Sequence, residues 1–135
     1  MLVSEGMSEE VLTIGPGHSL REAAAAMWAR QVGAAVVHDP DSQGPGVITE
    51  RDVLEAVAAG LDPDAESVAG HLTANLTFAR GDWSLEHAAA TMVSGGFRHL
   101  VVVDGSDVIG VLSMRDIVRV WCGEGAGCDV PAATG

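Results

Sequence analysis

The chain has 135 residues, of which 47% are apolar, and it carries 7 arginines and no lysine against 19 acidic residues, for a formal net charge of −12. This length and apolar content suffice for the core of one domain, or of two small packed units, and exclude a disordered chain. Nucleic acids and anionic lipids are bound through clustered basic residues, so neither nucleic acid nor membrane is an expected partner. A phosphorylated ligand would need a local site.

The expected location is the cytoplasm. No apolar run approaches the roughly 18 to 20 residues of a membrane span, and the start MLVSEGMSEEV has acids where a signal peptide has basic residues. Cys122 and Cys128 are interpreted as reduced thiols without a structural role. A regulatory disulfide or a metal contact is the alternative for this pair.

The hydrophobic spacing changes in a fixed order along the chain. Short apolar runs bounded by turn residues predict strands, and apolar residues at helical spacing after a capping serine predict helices. In the first half, the predicted order is a strand at 10–15, a helix at 19–32, strands at 34–39 and 46–49, and a helix at 50–60. In the second half, the same order occupies 75–80, 84–97, 99–104, 110–113 and 114–123. Residues 123–135 show no periodicity and are predicted to form a mobile tail.

The two halves are copies of each other. A shift of 65 residues places Val3 on Val68, and the shift drops to 64 after one turn, so that the octet VITERDVL at 47–54 aligns with VLSMRDIV at 111–118. Loops tolerate a difference of one residue. Two copies of this length predict duplicated units packed on each other. The predicted domains are a first repeat at 1–62, a second repeat at 63–122 and the tail.

Each octet places a hydroxyl three residues before an aspartate, at the start of the last helix of its repeat. The pairs are Thr49 with Asp52 and Ser113 with Asp116. This is the spacing of a capping box, which stabilises a helix by about 1 kcal/mol. The same geometry offers donors to a phosphate and a carboxylate to the hydroxyls of a ribose. Both interpretations remain open from the spacing alone.

No catalytic set is recognisable in the sequence. The chain has no GxSxG elbow, P-loop, HExxH or catalytic Cys-His signature. Its five histidines show no metal-ligand spacing. The chain is therefore not expected to be an enzyme, to bind a metal or to require a cofactor.

The order strand, helix, strand, strand, helix, with the hydroxyl-x-x-Asp at the last junction, resembles the CBS domain, and two copies resemble a CBS pair, or Bateman module. The resemblance covers residues 3–121 and is most specific in HLVVVDGSDVIGVLSMRDIV and GVITERDVLEAVAAGLDP. The latter, continued through AESVAGHL, also resembles the stand-alone two-CBS proteins of the hypoxic response protein type. The resemblance implies an α/β fold of the α+β kind, with two repeats related by pseudo-twofold symmetry and packed as one module.

The resemblance also implies a ligand. CBS pairs hold adenosine compounds such as AMP, ADP, ATP or S-adenosylmethionine between the repeats, with the aspartate on the ribose and the hydroxyl on the phosphate. The implied contacts in the cleft of Asp116 are Val111 and Ser113 with Met7, Leu12, Val32 and Gly33. The implied contacts in the cleft of Asp52 are Val47 and Thr49 with Leu72, Thr77, Phe97 and Arg98.

The repeats differ just before their second predicted strand, where the second repeat has Arg98 and His99 and the first has Gly33 and Ala34. Because many phosphate-binding CBS sites have a basic residue here, the cleft of Asp116 is the first expected to hold a nucleotide. The alternatives are a surface arginine paired with an acid and a half-buried histidine at the sheet edge. The charge of −12 opposes tight ATP binding at both sites and favours AMP, ADP or a cationic adenosyl compound.

Trp121 ends the last predicted helix, on a face through which CBS pairs commonly meet, so a homodimer is expected. Two functional hypotheses follow. One is a regulatory module that senses an adenosine-containing ligand and acts on an unidentified protein partner. The other is a ligand-free stress-response interaction protein in which both octets only cap helices.

Overall fold

A computed structural model describes residues 1–41, 44–73 and 77–123. The predicted tail after Gly123, including Cys128, lies outside the described residues. In the described ranges, none of the helices has the length and apolar character needed to cross a membrane. The chain divides into two compact units: residues 10–77, called the first unit below, and residues 1–9 with the chain from Phe78 onward, called the second unit.

The described helices and strands follow the predicted order. The helices are α1 (Val3–Gly6), α2 (Leu20–Arg30), α3 (Glu50–Ala58), α4 (Leu85–Gly95) and α5 (Met114–Gly123), and a 3-10 helix spans Val68–His71. The strands are β1 (Thr13–Ile14), β2 (Ala34–Val37), β3 (Gly46–Thr49), β4 (Phe78–Arg80), β5 (His99–Asp104) and β6 (Asp107–Ser113).

Four strands differ in length from the prediction: β2 ends at Val37 instead of residue 39, β4 begins at Phe78 instead of residue 75, and β1 and β6 differ as well. β1 covers only Thr13–Ile14 of the predicted 10–15, and it ends before a turn at Pro16 and Gly17, since a proline has no N–H for a sheet hydrogen bond. β6 is longer, because Asp107 pairs with Asp104 across a tight turn in which Gly105 has φ of 62°. The short helix α1 and the 3-10 helix are additions that the hydrophobic spacing does not predict.

The two sheets have the same topology. In the order β1-β2-β3, the first pair is parallel and the second antiparallel, and β4-β5-β6 repeats this pattern. Each unit has its own apolar core at equivalent positions: Leu20 and Met27 are buried in the first unit, and Leu85 and Met92 are buried in the second. Each core therefore sits between one sheet and the helices that pack against it.

The predicted serine caps of α2 and α4 are confirmed. Ser19 Oγ accepts a hydrogen bond from Glu22 N at 3.1 Å, and Ser84 Oγ accepts one from His87 N at 3.0 Å. Glu22 also accepts a hydrogen bond from Ser19 N, and this bond lowers the pKa of the Glu22 carboxyl. Both helices end in a left-handed residue, Gln31 in the first repeat and Gly96 in the second.

The segments that lead into the repeats are exchanged between the units. Val3 N donates to Trp83 O at 2.8 Å in the second unit, and the equivalent Val68 N donates to His18 O at 2.8 Å in the first. Each unit thus joins the lead-in of one repeat to the sheet and helices of the other. The boundary between residues 62 and 63 stays a prediction about the repeats, whereas the compact units divide after Glu9 and after Thr77.

Candidate functional site

The two octets lie where the last strand of each unit meets its last helix. Asp52 N donates to Thr49 Oγ1 at 3.3 Å, and Thr49 N donates to the Asp52 carboxylate at 2.8 Å. Asp116 N donates to Ser113 Oγ at 3.0 Å, and Ser113 N donates to the Asp116 carboxylate at 2.9 Å. Both predicted capping boxes are therefore formed, and they hold both carboxylates at helix N-termini.

The Asp52 carboxylate also accepts a hydrogen bond from a second residue, which the sequence did not predict. Thr73 Oγ1 donates to Oδ2 of Asp52 at 2.5 Å, on the same oxygen that accepts from Thr49 N and from Thr49 Oγ1 at 2.9 Å. Among the described residues, Oδ1 of Asp52 accepts no hydrogen bond. Thr73 lies 21 residues along the chain from Asp52, so no local spacing signals this contact.

Asp116 has a different partner. Its side chain is buried, and Arg119 Nη2 lies 2.5 Å from Asp116 Oδ1. Arg119 was also missed by the sequence analysis, although an arginine three residues after an aspartate on a helix is a recognisable ion-pair spacing. The aspartate of the second unit is therefore paired with a cation, and the aspartate of the first unit is held by hydroxyls.

Arg98 and Gly33 occupy equivalent positions, each just before the second strand of its sheet, and the backbone carbonyl of each contacts the start of a helix. Arg98 O accepts from Met114 N at 2.8 Å at the start of α5, and Gly33 O accepts from Glu50 N at 2.9 Å at the start of α3. The side chain of Arg98 is exposed, and His99 next to it is half-buried. Arg98 thus lies in the unit of Asp116, beside the first turn of its helix.

The lead-in segments bring Met7 and Leu72 to equivalent places. A Cβ at Gly110 would lie 2.6 Å from Met7 Sδ, and a Cβ at Gly46 would lie 2.8 Å from Leu72 Cδ1. Met7 therefore covers the strand that ends at Ser113, and Leu72 covers the strand that ends at Thr49. Two predicted apolar contacts of the clefts are thereby placed in the units of their own aspartates.

The other predicted site residues are divided between the units. Val47 is buried, Thr77 is half-buried and Leu12 packs against the first core. In the second unit, Val111 is half-buried and Phe97 packs against the core.

Some predicted contacts join residues of different units. Leu12, Gly33 and the exposed Val32 belong to the first unit, and they were predicted to reach Asp116. Phe97 and Arg98 belong to the second unit, and they were predicted to reach Asp52. These contacts stay predictions.

A groove of about 340 Å³ lies beside Asp52. Asp52 and Glu55 line it from α3. His71, the last residue of the 3-10 helix, and Leu72, which follows it, also line it. His71 Nε2 lies 2.8 Å from a carboxylate oxygen of Glu66. Among the described residues, no group of three metal-ligating side chains is present. The groove thus combines apolar walls with two acidic side chains.

Comparisons with known proteins match both halves of the chain. The family model of the CBS domain matches residues 3–59 and 67–123. The CBS domain-containing protein YhcV of Bacillus subtilis is 31% identical over 129 residues, which cover 93% of this chain and 89% of YhcV. The protein MJ1225 of Methanocaldococcus jannaschii is 30% identical over 118 residues, which cover 87% of this chain. This chain spans only 42% of MJ1225 and about a fifth of CBSCBSPB3 of Arabidopsis thaliana.

Solved structures resemble the whole described fold. The CBS-domain containing protein ATU1752 from Agrobacterium tumefaciens has a TM-score of 0.80 at 32% identity, over 87% of this chain and 91% of that chain. The CBS domain pair of protein MJ0100, in complex with 5′-methylthioadenosine and S-adenosyl-L-methionine, has a TM-score of 0.81 at 25% identity, over 92% and 98%. Hypoxic Response Protein I, with two coordinated zinc ions, has a TM-score of 0.72 at 24% identity, over 88% and 98%, which shows a shared fold. These similarities confirm the predicted α/β fold class.

Proposed function

Because the chain belongs to the CBS-domain family, with two CBS domains in tandem, we propose that it is a regulatory module that binds an adenosine-containing ligand at Asp52 and Asp116. The candidate ligands are AMP, ADP, ATP and S-adenosylmethionine. The MJ0100 pair, solved with two adenosyl compounds, supports this ligand class. The module acts in the cytoplasm on an unidentified protein partner, and no chemical step is assigned to it.

The observation that carries the proposal is the placement of the two carboxylates. Each one is held at a helix N-terminus by a complete capping box. Oδ1 of Asp52 accepts no hydrogen bond from the described residues, and Asp52 lines the groove. Each oxygen of Asp116 accepts one hydrogen bond from the described residues and retains a further lone pair. A carboxylate with this remaining capacity suits the two hydroxyls of a ribose.

Signalling requires that the ligand bind two arrangements of the module with different affinity. Thr73 supplies a physical route. Its hydroxyl binds Asp52, and Thr73 N donates to Val47 O at 2.8 Å, so the lead-in of the second repeat is anchored at the ligand carboxylate. A ribose hydroxyl that donates to Oδ1 draws negative charge from the carboxylate and weakens the hydrogen bond from Thr73 to Oδ2. Ligand occupancy is thereby coupled to the anchor of the lead-in.

Calorimetry tests the proposal directly. The protein is stripped of carried-over nucleotide and titrated with AMP, ADP, ATP, adenosine and S-adenosylmethionine. At least one compound is expected to bind with a Kd well below about 1 mM, which corresponds to roughly −4 kcal/mol. If none binds in that range, the proposal fails. The complete capping boxes then favour the ligand-free interaction protein, since they already explain the spacing of both octets.

The second part of the proposal is a homodimer formed through α5. Val118 and Trp121 are 51% and 65% exposed on this helix, and large exposed apolar side chains favour association. Light scattering at micromolar concentration is expected to give the mass of a dimer, and Trp121→Glu the mass of a monomer. Trp28→Glu is the matched control, because Trp28 is also exposed but lies on α2. A monomeric wild-type protein would refute this part.

A further inference from the structure

We infer that Glu55 and Arg119 determine the ligand charge that each repeat accepts, so that the Asp116 side favours a phosphorylated adenosine compound and the Asp52 side a neutral or cationic one. This inference rests on the proposed function, because it assigns ligand classes to the same two carboxylates. Glu55 and Arg119 occupy equivalent positions under the 64-residue shift, each three residues after the aspartate of its octet. One structural position therefore carries opposite charges in the two repeats.

Arg119 changes the electrostatics of the second unit. Its guanidinium is paired with Asp116 through one nitrogen, and its side chain is 64% exposed while that of Asp116 is 9% exposed. A guanidinium has five N–H donors, so most of them remain available to an incoming group. The pair carries no net charge, and an arginine binds phosphate oxygens well. A phosphate near Asp116 therefore meets a donor instead of an uncompensated carboxylate.

Glu55 has the opposite effect in the first unit. It lines the same groove as Asp52, and within the described residues neither carboxylate forms an ion pair. His71 also lines the groove but is held by Glu66, so this pair adds no net positive charge whether the imidazole is protonated or neutral. A phosphate beside Asp52 would face two uncompensated negative charges, whereas a sulfonium or an ammonium group would be attracted.

The helices that carry the two aspartates reinforce this contrast. α3 contains three acidic residues and one arginine, and α5 contains two arginines and one aspartate. The N-terminal dipole is alike in both helices, so it favours an anion equally in both units. An arginine precedes the aspartate in both helices, Arg51 in α3 and Arg115 in α5. The difference in ligand charge therefore depends on the positions that differ, and Glu55 and Arg119 lie about one turn after the aspartates.

The test measures each site alone with three compounds of different charge. Asp52→Ala leaves the Asp116 site, and Asp116→Ala leaves the Asp52 site. Calorimetry with AMP, 5′-methylthioadenosine and S-adenosylmethionine gives the affinity of each compound relative to the neutral 5′-methylthioadenosine. The relative affinity for AMP is expected to be at least roughly tenfold higher in the Asp52→Ala protein than in the Asp116→Ala protein. The relative affinity for S-adenosylmethionine is expected to differ in the opposite sense.

Charge reversal at positions 55 and 119 then tests whether these two residues cause the difference in relative affinity. In the Asp52→Ala protein, Arg119→Glu is expected to lower the relative affinity for AMP by roughly tenfold. In the Asp116→Ala protein, Glu55→Arg is expected to raise it by a similar factor. If Arg119→Glu does not fold, Arg119→Gln replaces it, because it removes the charge without adding a carboxylate beside Asp116. Arg119→Gln should also lower the relative affinity for AMP, by a smaller factor.

A control variant separates a local effect at Arg119 from a change in the net charge of the whole protein. Arg80→Glu changes the net charge as much as Arg119→Glu does, in the same unit, at a surface arginine paired with Asp82. It should leave the relative affinities unchanged. Relative affinities that are equal at the two sites, or unaltered by the reversals while 5′-methylthioadenosine still binds, overturn the inference and leave the proposed function standing. Failure of all three compounds to bind the wild-type protein overturns the inference, and the proposed function fails as well only if ADP, ATP and adenosine also do not bind.

Discussion

The Gly110→Ala variant is expected to be about 2 to 3 kcal/mol less stable to unfolding than the wild-type protein, the upper range for an overpacked core. The added Cβ would lie 2.6 Å from Met7 Sδ and 2.8 Å from the carbonyl oxygen of Ser8. Met7 can rotate away, but the Ser8 backbone cannot. Ser8 N donates to Val111 O at 2.9 Å and Ser8 O accepts from Val111 N at 3.0 Å, so a shift breaks both bonds.

Gly46→Ala is the matched variant in the first repeat. Its nearest contacts are all atoms of the Leu72 side chain, with Cδ1 at 2.8 Å and Cδ2 at 3.5 Å. A flexible side-chain end yields more readily than a paired backbone, so the free energy of unfolding should change by no more than about 1 kcal/mol. Urea unfolding followed by tryptophan fluorescence measures both variants. Equal losses in the two variants would show that the Ser8 carbonyl is not the decisive contact.

The Asp116→Ala variant is expected to bind AMP about 100-fold more weakly than the wild-type protein. A hydrogen bond to a charged group contributes about 1.5 to 3 kcal/mol, and two ribose hydroxyls would lose such a bond. The loss of about 3 kcal/mol corresponds to a factor of roughly 100 in Kd. Stability should fall by only about 1 kcal/mol, the typical value of a helix cap, because the freed Arg119 is largely exposed to water. Calorimetry and urea unfolding measure the two effects separately.

Ser84→Ala is the control for a purely structural effect. It removes the serine cap of α4, where Ser84 Oγ accepts from His87 N, and should cost about the same stability with no change in AMP affinity. If Asp116→Ala loses stability but keeps its affinity, the octet of the second repeat is only a cap. If Asp52→Ala abolishes AMP binding and Asp116→Ala leaves it unchanged, the expectation that Asp116 holds the nucleotide is wrong.

The helices and their caps were predictable because their signals are local. Ser19 and Ser84 begin the two covering helices as the spacing indicates, and the octets form capping boxes at both predicted positions. The tandem CBS pair inferred from the repeat is confirmed by the family match at residues 3–59 and 67–123. Short-range hydrogen bonds and apolar periodicity depend on neighbours within a turn or two of the chain, and the sequence contains those neighbours.

The hydrogen-bond and ion-pair partners of the two aspartates were harder to predict from the sequence. Arg119 follows Asp116 by three residues, so its ion pair could have been read from helical spacing. Thr73 reaches Asp52 only because the chain returns after the 3-10 helix and runs along β3. The local pattern around Thr73 contains no sign of that return, and the predicted site residues therefore include Leu72 and Thr77 but not Thr73.

The sequence by itself determined the duplication, the order of strands and helices in each repeat, and the helix start that positions each carboxylate, because all of these depend on spacing within or between two aligned copies. Only the tertiary structure decided which hydrogen bonds join each lead-in to the unit of the other repeat, that Gly110 lies under Met7, and that Thr73 is hydrogen-bonded to Asp52. Those contacts join residues far apart along the chain, and their energies depend on how whole segments pack.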